Sequence, residues 1–157
     1  LNEIFSNGKN PLVYLITDYN YSEYNKNLIL LLINSGANIF SEGISKNILL
    51  ETAIQKEHFE LIELLIQKGV DLNGENDYGQ TPINNLLQRW SFNEFRKKVA
   101  LLLIDSGAIV DTETLIIALD IPDNDIAELI IKKGVKANNV ILKTLIDISN
   151  VLLFKFL

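Results

Sequence analysis

The chain has 157 residues, 48% apolar and 22% charged, with no cysteine, a net charge of −6 and a pI near 4.8. That length suffices for one domain with a real core. The acidity excludes a phosphate backbone or an anionic bilayer surface as the natural partner, and the lack of cysteine excludes disulfide and thiol chemistry.

In chain order, the first predicted unit covers 10–43 and ends its second apolar stretch at "LLINSGAN", on Gly36. The second covers 48–80. Its second stretch carries Leu61, Ile62, Leu64, Leu65 and Ile66 at helical spacing and stops at "LLIQKGVD", on Gly69. "VDLNGENDYGQ" follows, dense in Gly, Asn and Asp, and predicts a projecting hairpin-like loop. The third unit, 81–112, opens on "TPINNLL". Thr81 suits an N-cap and Pro82 the first helical position, where a missing N–H costs nothing. Its second stretch holds Val99, Leu102, Leu103 and Ile104 and ends at "LLIDSGAI", on Gly107. The fourth, 113–139, turns at "DIPDND" and ends at "LIIKKGVK", on Gly134. The remainder, 140–157, contains "VILKTLIDISNVLLFKFL". Lys143, Asp147 and Lys155 interrupt it, so it reads as a packed terminal helix and not a membrane span.

The four glycines lie 33, 38 and 27 residues apart, each where a helix C-terminus favours a left-handed residue. Such a period is the signature of a repeat architecture. The units resemble the ankyrin repeat. "ILLETAIQKEHFELIELLIQKGVDLNGENDYGQ" fills a whole 33-residue unit, with Ala53 on the small inter-helix position, His58 on the turn histidine and Gly69 on the glycine; Gly79, Thr81 and Pro82 match the next opening. The resemblance spans nearly the whole chain and implies an all-α solenoid of stacked antiparallel helix pairs with hairpin-like loops, forming a single domain over 1–157.

Three departures stand out. The first and third units carry five extra residues between their helices. The last two connections, Gly107 to Leu115 and Gly134 to Leu142, are six residues shorter than Gly69 to Ile83. Val13, Glu51, Asn84 and Ile116 replace the first-helix histidine, so its usual hydrogen bonds are not expected.

Stacked helix pairs bury one continuous core and leave an extended concave surface, on which ankyrin-like proteins bind other proteins. The family's contact positions fall on Ile44, Ser45, Asn47, Thr52, Gln55 and Lys56 in the second unit. In the third they fall on Asp77, Tyr78, Gln80, Asn85, Gln88 and Arg89. Tyr78 leads, because an exposed tyrosine offers large contact area at little entropy cost. The two extensions hold six of the thirteen aromatic residues: Tyr19, Tyr21 and Tyr24, then Trp90, Phe92 and Phe95. They read either as side chains packed back on their own units or as an aromatic binding edge.

One histidine and no cysteine leave no Cys–His pair and no ordinary zinc site. Asp120, Asp123 and Asp125, like Asp71, Asn73, Glu75 and Asp77, lack the EF-hand order. Asp123 and Asp125 suit a helix N-terminus instead. Asn20 opens a glycosylation triplet of the kind expected by chance. The expectation is therefore a monomeric, cytoplasmic, non-enzymatic scaffold without cofactor or metal, binding an unidentified protein and neither nucleic acid nor membrane. A chain with no methionine that ends on "VLLFKFL" also fits an interaction module cut from a larger enzyme or effector. The acidity fits an inhibitor or immunity-type protein directed at a basic protein.

Overall fold

The computed structural model describes residues 11–17, 22–39, 48–88, 92–136 and 138–147. Among these the fold is all-α, with nine helices and no strand. They belong to two compact units, Leu1–Pro82 and Ile83–Leu157.

In the first unit, α1 (Pro11–Thr17) pairs with α2 (Glu23–Asn34), and α3 (Ile48–Gln55) pairs with α4 (Phe59–Gln67). First helix packs on first, α1 on α3, and second on second, α2 on α4. Ile16, Ile29, Leu50, Leu61 and Leu65 are fully enclosed between them. Ala53 is also completely buried, which explains the need for a small side chain at the helix-pair contact.

The second unit follows the same rule in its last four helices. Helix α5 (Pro82–Leu87) starts on the expected proline, and α6 (Glu94–Asp105), α7 (Thr112–Leu119), α8 (Asp125–Lys132) and α9 (Asn139–Asp147) complete it. Helix α7 packs on α8 and α9, and α6 on α8. The connections into α7 and α9 are short, in line with the deletions read from the sequence.

Each repeat glycine closes its helix in one way. The Gly69 N–H donates to Ile66 O at 2.9 Å and the next N–H, of Val70, to Leu65 O at 3.1 Å, with Gly69 at φ +79°. This is the Schellman arrangement, and it recurs at Gly36, Gly107 and Gly134. A fifth copy ends α3 with no glycine. Glu57 N–H donates to Ile54 O and His58 N–H to Ala53 O, and Glu57 itself sits at φ +53°.

The extra residues counted in the predicted repeats 10–43 and 81–112 partly lengthen the second helix of each. Helices α2 and α6 have 12 residues each, against 9 in α4 and 8 in α8. Each long helix starts at its own cap. Ser22 Oγ accepts from Asn25 N at 3.4 Å, and Asn93 Oδ1 accepts from Arg96 N at 2.9 Å. Buried Arg96 then reaches back, its Nη1 donating to Leu86 O at 3.0 Å, which supplies a donor to the end of α5.

The missing motif histidines have two outcomes. At Asn84 the side chain is buried and its Oδ1 accepts from Thr114 Oγ1 at 2.8 Å, a bond of its own that joins α5 to α7. A short amide suffices because Thr114 belongs to the capping box at Asp111 and is itself held in place. At Glu51 the substitution leaves Oε1 buried without a hydrogen-bond partner.

Candidate interaction surface

The loop after α4 is built by two short side chains. Asp71 Oδ1 accepts from the N–H groups of Asn73 and Gly74 at 2.9 and 3.1 Å. Asn76 Oδ1 accepts from those of Tyr78 and Gln80, both at 3.0 Å. The Asn76 backbone closes the turn, donating to Gln80 O and accepting from Gly79 N, each at 2.9 Å. Gly79 at φ +72° provides the left-handed step, although a Cβ there would meet nothing closer than Glu75 Oε2 at 3.9 Å. Asp and Asn are the residues that close turns through their own side chains, yet sequence reasoning assigned Asp71 and Asn76 no such role.

This scaffold presents Tyr78 at 87% exposure, the highest among the exposed large apolar side chains described. Asp77 beside it is exposed and Gln80 half-buried. On α3, Gln55 is exposed and Lys56 half-buried, but Thr52 is only 8% exposed and faces inward. Thr52 is therefore removed from the contact set: helical spacing turns it onto the packed face beside Ala53. In the Ile83–Leu157 unit, Gln88 is exposed and Asn85 half-buried. Ile44, Ser45, Asn47 and Arg89 lie outside the described residues.

Of the aromatic edge, Tyr19, Tyr21 and Trp90 lie outside the described residues. Phe92 and Phe95 are half-buried, in the manner of side chains packing back on their own unit. Tyr24 is 73% exposed on α2, and Leu31, seven residues on along the same stripe, is 62% exposed. Leu31 is a surface feature that the repeat pattern conceals. Leu64, Leu102 and Leu129 stand at the same distance before their glycines, and all three are half-buried.

Lys97 Nζ lies 2.7 Å from Asp123 and 2.6 Å from Asp125, so the "DIPDND" acids are gripped by a cation from α6 at the start of α8. Its two carboxylate partners hold the Lys97 amine well above the usual lysine range, and Lys97 in turn holds Asp123 below the usual carboxylate range. His58, 3% exposed at the N-cap of α4, has its pKa lowered, chiefly by burial. Glu60 opposes that shift, Lys26 adds to it and Glu23 opposes it. Among the described residues, no group of three or more His, Cys, Asp or Glu could hold a metal ion, and no helix is long and apolar enough to cross a membrane. The sequence matches no protein-family model and no curated protein.

Proposed function

We propose that the chain is an ankyrin-type protein-binding module without enzymatic activity, which holds its partner through the hairpin loop after α4 and the exposed end of α3. The observation that carries this reading is Tyr78, a large and almost fully exposed ring on a turn fixed by backbone and Asn76 hydrogen bonds. A ring on a prebuilt turn loses little entropy on contact, which suits it as an anchor. Gln55, Asp77 and Gln80, in the same compact unit, supply the polar complement. In ankyrin-like stacks this is the concave side.

One further observation favours a partner with basic groups. The loop 70–80 contains Asp71, Glu75 and Asp77 but no Lys or Arg, between Lys68 and Arg89, in a chain of net charge −6. Such an interface gains mainly in encounter rate and weakens as salt screens it.

The test is affinity capture with the wild type and a Tyr78→Ala/Gln80→Ala variant of equal Tm, followed by titration of the captured protein at low and high salt. A partner lost by the variant supports the reading, and a steep fall with salt identifies it as basic. A partner retained by that variant but lost by Tyr24→Ala would transfer the function to α2. Capture by neither face would overturn the proposal.

A further inference from the structure

The loop that carries Tyr78 also contains Asn73–Gly74, a pair whose chemistry is unrelated to partner binding. A backbone nitrogen can attack the preceding asparagine's side-chain carbonyl when the following residue has no Cβ to obstruct it, and glycine is the one residue that meets this condition. Both residues are half-buried in irregular backbone, so water reaches them. We propose that Asn73 is a site of spontaneous deamidation whose pace is set by Asp71.

The steps balance without any added oxidant or reductant. Gly74 N, losing its proton, forms a bond to Asn73 Cγ, and the side-chain nitrogen departs as ammonia, leaving a five-membered imide. Water then opens either imide C–N bond, giving aspartate or isoaspartate at position 73. The net change is one water consumed and one ammonia released.

Asp71 opposes the first step in two ways. Its Oδ1 accepts the Gly74 N–H at 3.1 Å and the Asn73 N–H at 2.9 Å, so the attacking nitrogen is pinned in the turn. A carboxylate at that distance also disfavours the negative charge that develops on the nitrogen as its proton leaves. Conversion would place another carboxylate between Asp71 and Glu75, and the isoaspartate product would lengthen the backbone of the loop presenting Tyr78.

The experiment incubates the purified chain at mildly alkaline pH and follows residue 73 by peptide mapping with isoaspartate detection. That method separates it from Asn7–Gly8, which lies outside the described residues. The unfolded chain in urea should convert fastest, and the folded wild type at least several-fold slower. Folded Asp71→Ala should return towards the unfolded pace, and Asp71→Asn, which keeps an acceptor but not the charge, should fall between. Circular dichroism confirms that each variant is folded. Should Asp71→Ala fail to fold, Asp71→Asn alone decides: a faster rate than wild type supports the proposal and an unchanged rate sinks it. Absence of product at residue 73 in the unfolded chain, or a folded Asp71→Ala no faster than wild type, would also overturn it. None of these readouts depends on a binding partner, so they stand or fall apart from the proposed function.

Discussion

At the scale of single residues, the informative position is Glu57, which adopts a left-handed conformation that Gly69 adopts freely. That conformation costs a residue with a Cβ about 1–2 kcal/mol, while glycine loses about 0.5–1 kcal/mol more chain entropy on folding. Glu57→Gly should therefore stabilise the protein, by on the order of 0.5–1 kcal/mol in urea unfolding; a lower midpoint would show that the exposed carboxylate contributes more than surface charges normally do. The converse substitution, Gly69→Val, should cost about 1–2 kcal/mol. An added Cβ at Gly69 meets no atom within 4 Å, so the Cβ itself costs only backbone strain. His58 gives a pH-dependent case. Its folded pKa is lowered by burial, so well above pH 6.5 both folded and unfolded forms are neutral and nothing is lost. Below that, the unfolded chain takes up a proton that the folded chain refuses, and stability falls by up to about 1.4 kcal/mol per pH unit until the folded pKa is passed. His58→Gln should flatten the pH dependence of the urea midpoint between pH 7.5 and 5.5, whereas carboxylate contributions remain in both proteins. Equal slopes would mean that the imidazole is protonated in place.

At the scale of elements, the sequence exposed some features and hid others for physical reasons. Helix ends were legible because glycine is the low-cost left-handed residue, so Gly36, Gly69, Gly107 and Gly134 mark them directly. The end of α3 was visible only through the alignment of His58, since Glu57 gives no conformational signal. The five-residue extensions were countable, but their division between loop and helix depended on the caps at Ser22 and Asn93, which compete with every neighbouring polar residue for that role. Thr52 is buried beside Ala53, which a contact position inherited from a family pattern does not reveal. Ala53 tests the helix-pair geometry. Ala53→Leu adds volume where no solvent-accessible space exists and should cost about 1–3 kcal/mol; tolerance without loss would mean that α3 and α4 are spaced differently.

At the scale of the whole molecule, each unit repeats one packing rule, first helix on first and second on second. If stability is a sum of local and nearest-neighbour terms, as in a repeat stack, the Ala53→Leu defect should remain confined. Hydrogen exchange should quicken across 48–67 and stay close to wild type across 112–132. Uniform loss of protection would instead indicate a single cooperative core. The all-α class was readable from periodicity, because apolar stripes and caps are local signals. Surface function was less so, because exposure depends on which neighbour covers a residue: Leu31 and Leu64 are equivalent in pattern, but the first is exposed and the second half-buried.

The grip of Lys97 on Asp123 and Asp125 has a practical outcome for mapping any complex. Acylating cross-linkers react with the uncharged amine, and two carboxylates within 2.7 Å keep this nitrogen charged far into the alkaline range. Lys97 should stay silent in an amine-reactive footprint while the exposed Lys68 and Lys98 are labelled. The pattern of silent and labelled lysines would then report whether α6 and α8 keep their native contact when a partner binds.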